Sequence, residues 1–391
     1  MRFLFVLTEL PYPAHRNGVA LINHEIIIRA PADAQIDLLV ADVEDGEAEA
    51  AFRVASPRLG SITYVGLASA RRFRIGNLLS GALIGRCLFE SDGAVRYLNA
   101  RGESYDAIYV APLMSYVDPG RCTNTFMNAV DSFARLNDNA FQHTGRVIDW
   151  IKSQLYRCYE RKTLARVALT SFVSSADVEY IGKRSYGLPL VCTPNGVDTE
   201  YFQPTSQGRE PFSLLFTGNF SYAPNAEAAL YFARKVLPLL IGQRPQSHFF
   251  VVGRNPPPQL AGMAGVSVTG FVDDIRDFYR RCTVFVCPLL SGAGIKNKVL
   301  EAMACGIPIV TTSLGIDGIG GVAPSEHYVA AETPHEFVRH ILDLWDHPAK
   351  AQRIAGAARS VVTNRMTWSQ VATNYYEHLA HVGEQSAHAT L

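Results

Sequence analysis

Short apolar runs and longer amphipathic stretches alternate along this chain. "RFLFVLT" (2–8), "IDLLVAD" (36–42), "YDAIYVA" (105–111) and "TFMNAVD" (125–131) are apolar on both faces and read as buried strands. Between them lie segments with helical spacing, "GVALINHEIIIRA" (18–30) and the long "HTGRVIDWIKSQLYRCYERKTLARVA" (143–168). "ALTSFVSS" (168–175) reads as another strand. Strands of this kind separated by helices predict a parallel sheet of βαβ units, so the class is α/β.

The pattern then pauses and restarts. "TPNGVDTEYFQPTSQGREP" (193–211) holds Pro194, Pro204, Gly208 and Pro211 around a polar run, which marks an interdomain linker. Beyond it, strands are expected at 212–218, 248–253, 266–272, 283–289 and 307–312. Helices are expected at 225–240, 274–282 and 297–305. This is a second βαβ domain. A last amphipathic helix, "TWSQVATNYYEHLA" (367–380), precedes a polar tail expected to fray.

Composition narrows the function. The 391 residues are 48% apolar and 18% charged, a globular balance long enough for two domains. Acids and bases cancel at 36 each, which disfavours nucleic acid as a partner and makes any anion site local. Seven scattered cysteines without a C-x-x-C suggest buried, inert thiols in a reducing, cytoplasmic setting, and no metal site. The first apolar run is too short for a signal-peptide core, and no stretch approaches a membrane span. "RFRIGNLLSGALIGRCLF" (72–89) carries apolar residues at helical spacing beside arginines. A core-facing helix with a solvated basic face is favoured there over a membrane-surface helix, and peripheral contact with the inner face of the membrane stays open.

Candidate chemistry concentrates in "SGAGIKNKVLEAMACGIPIVTT" (291–312). Pro288 stops a strand, Gly292 and Gly294 allow close backbone approach, and a helix starts near Asn297, with Gly306 just past its end. A helix N-terminus at the carboxyl end of a parallel strand suits a diphosphate. The ATP-type G-x-x-x-x-G-K-[ST] and the dinucleotide G-x-G-x-x-G are both absent. Glu301 is placed to accept bonds from two vicinal hydroxyls, or is an ordinary exposed carboxylate beside Lys298. Lys296 and Lys298 are phosphate ligands or solvated charges, Lys296 being the better ligand because it sits in the loop. Asp131, just past a strand, could orient or deprotonate a hydroxyl, and its plainer reading is an N-cap. His15 and His24 are further candidates with plain surface or core alternatives.

"GIKNKVLEAMACGIPIV" resembles the donor-site signature of GT-B glycosyltransferases, family 4. "TPNGVDTEYFQP", "LLFTGNFSYAPNAEAALYFARKVLP", "VVGR", "VTGFVDDIRDFY" and the N-terminal "LPYP" are similar to a branch associated with bacterial exopolysaccharide and PEP-CTERM systems. The resemblance implies two Rossmann-like domains facing across a cleft. Residues 1–200, with 365–391 packing back on them, would bind the acceptor, and 201–364 the nucleotide-sugar donor. It implies a retaining glycosyltransferase that needs no metal or other cofactor. A sugar would move from a UDP- or GDP-type donor to a glycan, lipid-linked or small-molecule acceptor.

By position, the resemblance puts Glu301 on the ribose, and the amides of Gly294, Ile295 and Asn297 with Lys296 on the diphosphate. Lys298 joins the donor-binding set. Phe271 and Val272 would flank the base, and Gly218 and Asn219 would face the phosphates. Gly18 would let the first loop approach sugar or acceptor, on the side of His15 and Asp131. Two departures stand out. A Glu expected eight positions before Glu301 is Ala293, and the loop "GNFSYAPN" lacks a base, for which Arg254 is the candidate replacement. A sugar-nucleotide epimerase and a catalytically silent binding protein on the same fold are the alternatives.

Overall fold

The computed structural model describes the chain save residues 43, 66–91, 113–122, 184–186, 206–207, 293 and 390–391, and save the side chains of 15, 92, 388 and 389. The segment 72–89 and Ala293 therefore lie outside the described residues. The chain divides into two compact units. The first is Met1–Asn195 with Trp368–Leu391, and the second is Gly196–Thr367. The sequence reading had placed these passages at 200/201 and 364/365.

The first unit is built on a parallel sheet in the order β3-β2-β1-β4-β5-β6-β7. The strands are β1 (Arg2–Leu7), β2 (Gln35–Val40), β3 (Leu59–Tyr64), β4 (Ala107–Ala111), β5 (Thr125–Val130), β6 (Leu169–Phe172) and β7 (Leu190–Cys192). Its central strands are apolar on both faces and fully buried, as helices on two sides require. Asn17 caps the helix Gly18–Ile28, accepting from Ala20 N at 2.8 Å. The final helix belongs to this unit. Tyr376 Oη donates to Ile26 O at 3.1 Å, and the Tyr375 ring meets Tyr109 and Phe126.

Two expectations change here. The final helix runs from Trp368 to Ala389, so the polar tail does not fray at 380. Its apolar stripe continues through Leu379 to the buried Val382, and Gly383 lies flat against the Asp106 carbonyl, which holds the last turns. The segment 143–168 is not one helix. Phe133–Thr144 ends at Gly145, whose left-handed φ of 68° a side chain would resist, and a second helix, Val147–Leu164, begins after it.

The second unit has the parallel order β10-β9-β8-β11-β12-β13. Its strands are β8 (Ser213–Thr217), β9 (His248–Val252), β10 (Val266–Gly270), β11 (Val284–Cys287), β12 (Ile309–Thr311) and β13 (Val329–Ala330). Chain order reverses between β8 and β11, which opens a crevice at their carboxyl ends. The helix expected at 225–240 is interrupted. It runs from Ala223 to Tyr231, widens to a π turn at Phe232–Val236 and resumes at Leu237–Gln243. Pro238 lacks an N–H and its ring crowds the carbonyl four residues earlier; the wider turn relieves both.

Candidate functional site

The β8–β11 crevice gathers most of the donor-side residues that the sequence singled out. β8 ends at Thr217, and Gly218 follows. Gly253, past β9, lies so close to Gly218 that a Cβ there would stand 1.9 Å from the Gly218 carbonyl oxygen. Its φ of 137° also suits glycine alone. This approach fixes the turn into the loop 218–225. Asn219 Oδ1 accepts from Ser221 N at 3.0 Å, and Asn225 Nδ2 donates to Asn219 O at 2.8 Å.

Gly292 and Gly294 have positive φ, 119° and 71°, and the helix Asn297–Ala304 starts where expected and ends at Gly306, φ 61°. Ile295 packs against the core of the unit. The two lysines behave differently from the sequence expectation. Lys296 is buried, with Nζ turned onto its own loop at Gly294 O, 2.5 Å away. Lys298 is not a solvated charge. Its Nζ donates to Asn225 Oδ1 at 2.5 Å and lies 4.4 Å from the centre of the Phe216 ring. A Cβ on Gly218 would be 3.0 Å from the same nitrogen. Lys298 thus brings a basic side chain from the facing helix against the loop 218–225, which has none of its own. Burial lowers the Lys298 pKa to about 8.

One turn further on, Glu301 turns inward. Tyr279, from the helix Arg276–Arg281, donates its hydroxyl to Glu301 Oε2 at 2.7 Å, and the Thr217 hydroxyl lies 2.9 Å from the same Tyr279 oxygen. Burial raises the Glu301 pKa, against the Tyr279 hydrogen bond and the Lys298 charge. Arg209 braces both helices from below. Its half-buried guanidinium donates to Tyr279 O and Cys282 O, each at 2.6 Å, and to Cys305 O at 3.2 Å. Tyr279 and Arg209 were not singled out from the sequence. A tyrosine inside "DFYRR" reads as core, and nothing in the pattern shows its hydroxyl meeting Glu301.

Arg254 does not join the lysine. Its guanidinium lies 4.6 Å from the centre of the Phe271 ring, and Phe271 is 59% exposed. Val272 packs partly into the core.

The other candidates lie in the first unit. Asp131 follows β5, but the cap of the next helix is Ser132, which accepts from Arg135 N at 3.1 Å; the plainer reading of Asp131 is corrected. Gly18 is the exposed first residue of its helix, and Glu9 ties the preceding loop by accepting from Arg16 and Asn17. His15 falls in the short turn Ala14–Arg16. His24 stacks near Tyr12 and Phe52, as a packed residue does. Of the described thiols, Cys282, Cys287 and Cys305 are buried with raised pKa, but Cys158 and Cys192 are exposed, against expectation. Among the described residues no group of three metal-binding side chains is assembled, and no helix is long and apolar enough to cross a membrane.

Residues 211–347 match the model of the family described as "Glycosyl transferases group 1". The chain is 25% identical over 176 residues to a protein of Klebsiella pneumoniae named "Uncharacterized 44.6 kDa protein in cps region", covering 42% of this chain and 45% of that protein. It is 29% identical over 171 residues to a phosphatidyl-myo-inositol mannosyltransferase of Mycolicibacterium smegmatis, covering 41% and 42%. The matches thus span under half the length of these curated relatives. The solved structure of Anabaena Alr3699/HepE in complex with UDP superposes at a TM-score of 0.65 and 14% identity, covering 97% of this chain and 100% of that one. The fold is that of the GT-B glycosyltransferases, two Rossmann-like parallel-sheet domains.

Proposed function

We propose that this chain is a glycosyltransferase that binds a nucleoside-diphosphate sugar in the second unit and transfers the sugar to a hydroxyl group. The observation that carries the reading is the convergence of Lys298 with Asn225 and Gly218 at the β8–β11 crevice, one helical turn from the Glu301–Tyr279 pair. Lys298 and the amides at the start of the helix Asn297–Ala304 form a cationic end for the diphosphate. Glu301, oriented by Tyr279, accepts bonds from the ribose hydroxyls.

The chemistry follows from charge. As the bond from sugar to diphosphate breaks, negative charge grows on the leaving phosphate, and Lys298 and the helix N-terminus stabilise it. The acceptor oxygen bonds to the sugar carbon on the face being vacated, and its proton passes to the departing phosphate oxygen. Configuration is then retained and no separate base is needed, so Asp131 is assigned a role in orienting the acceptor. Because Lys298 carries the positive charge, no divalent metal is required. The donor type, UDP or GDP, is part of the proposal; the UDP bound by the Anabaena protein supports the former. A polysaccharide or lipid-linked acceptor and the exopolysaccharide branch are part of the same proposal, with which relatives named for a cps region and for phosphatidyl-myo-inositol mannosyl transfer are in keeping.

The test is titration with UDP, GDP and their sugars, followed by product analysis with glycan and lipid-linked acceptors in EDTA. Release of free nucleotide that depends on acceptor, undiminished by EDTA, is expected. An isomerised sugar without acceptor, or binding with no turnover, would defeat the transferase reading. Recovery of activity only with a divalent ion would defeat the metal-free one.

A further inference from the structure

The two helices that follow β5 form an antiparallel hairpin. The Glu160 carboxylate accepts from Ser132 Oγ at 3.0 Å and from Ala134 N at 3.2 Å, at the carboxyl end of β5. Eight residues later, Ala168 N donates to Thr125 O, at the amino end of that strand. Ala165 N bonds back to Arg161 O and Arg166 N to Thr163 O, so the helix Val147–Leu164 closes in a turn at the end that Glu160 roots. The opposite end, where Phe133–Thr144 turns through Gly145 into Val147–Leu164, is the tip of the hairpin.

The tip is built unlike a core helix. Val147 is 63% exposed, Trp150 47% and Ile151 41%, and their spacing puts all three on one stripe. Residues 133–166 hold seven Lys and Arg against three acids, in a chain balanced overall. All three acids face inward. Asp138 binds Arg157 and Tyr180, Asp149 accepts from Thr144 at 3.2 Å, and Glu160 roots the hairpin. Around the apolar stripe stand His143, Arg146 and Lys152, with Arg146 exposed although it lies 3.8 Å from Asp149. An apolar wedge containing tryptophan, ringed by bases with the acids turned in, matches an anionic lipid surface.

We propose that the tip of this hairpin docks the protein on an anionic bilayer, with Val147, Trp150 and Ile151 entering the headgroup region. The inference rests on the first unit alone and stands apart from the donor reading. The full chain is mixed with vesicles of phosphatidylcholine, or of equal parts phosphatidylcholine and phosphatidylglycerol, and sedimented. We expect at least tenfold stronger partition to the anionic vesicles, weakened by salt. Tryptophan emission should shift to the blue and be quenched by brominated lipid in the wild type, and neither change should appear once Trp150 is replaced. The variant Val147→Ser, Trp150→Ser, Ile151→Ser should stay in solution while keeping its thermal midpoint and its nucleotide binding. Equal partition of that variant, or no partition of the wild type, overturns the proposal. So does a concentration-dependent dimer that the variant abolishes without any vesicle binding, which would make the stripe a contact between copies of the chain.

Discussion

The Lys298 ammonium is held against an amide oxygen and an aromatic face, where losing its water lowers its pKa to about 8. A nucleoside diphosphate should therefore bind with steady affinity near pH 7 and more weakly as the pH rises through 8 and the charge is lost. Lys298→Met should bind roughly 10- to 100-fold more weakly at pH 7, the loss of about 1.5–3 kcal/mol in a charge-assisted bond, with little dependence between pH 7 and 9.5. Calorimetric titration of both proteins decides it, and wild-type affinity in the variant would remove Lys298 from the site. Tyr279→Phe leaves Glu301 and Thr217 without their shared hydroxyl. It should destabilise the second unit by about 1–3 kcal/mol in urea and reduce the preference for ribo- over 2′-deoxyribonucleotide. Both quantities unchanged would contradict the assigned role of Tyr279. At this scale the sequence was half legible. The glycines and the helix start of 292–306 were readable because backbone conformation limits which residues fit. Which of two lysines two positions apart faces the crevice was not readable. It depends on one rotamer folding Lys296 onto Gly294 and on a partner, Asn225, 73 positions away.

Among the elements, the β5 hairpin depends on a carboxyl group placed at a helix start. Burial raises the Glu160 pKa to about 8, although the Ser132 and Ala134 bonds oppose the shift. A carboxyl whose folded pKa exceeds its unfolded value of 4.5 makes the native state the stronger proton binder. Its contribution is complete below about pH 4.5 and fades as the pH rises through 8. Glu160→Gln can keep the bonds to Ser132 and Ala134 without the charge. It should leave the thermal midpoint nearly unchanged at pH 4.5 and raise it by several degrees at pH 8, by calorimetry. A midpoint lowered equally at both values would mean that the charge itself is needed. The strands were legible from their apolar runs, because burial on both faces leaves no polar alternation. The break at Gly145 and the helical tail were not. A single glycine is compatible with either a cap or a helix interior, and the tail is ordered by tertiary packing of Val382 and Gly383.

For the whole molecule, the chain leaves the first unit after Asn195 and returns at Trp368. Ending it at Thr367 would remove Trp368, Tyr375, Tyr376 and Leu379, all buried in the first unit, and nothing from the second. That truncation should abolish cooperative unfolding of the first unit while the second keeps its own transition and its nucleotide affinity. Calorimetry with and without nucleotide reads both, and loss of the second transition as well would show that the units do not fold independently. The two-domain plan was legible because the βαβ pattern restarts after a proline-marked linker. The passage points were not, since linker composition extends several residues to either side of the residues that change partners.

The two passages also meet. Val197 pairs with Thr367, and Val197 N donates to Met366 O at 2.8 Å, so the second unit opens and closes at one bridge. A unit whose ends are tied together this way behaves as a cassette. It can be exchanged for another of its kind with two cuts at one spot, leaving the surrounding unit's chain continuous. Modular inheritance of that sort would let one half drift while the other is kept. The family match at 211–347 lies wholly inside the exchangeable piece.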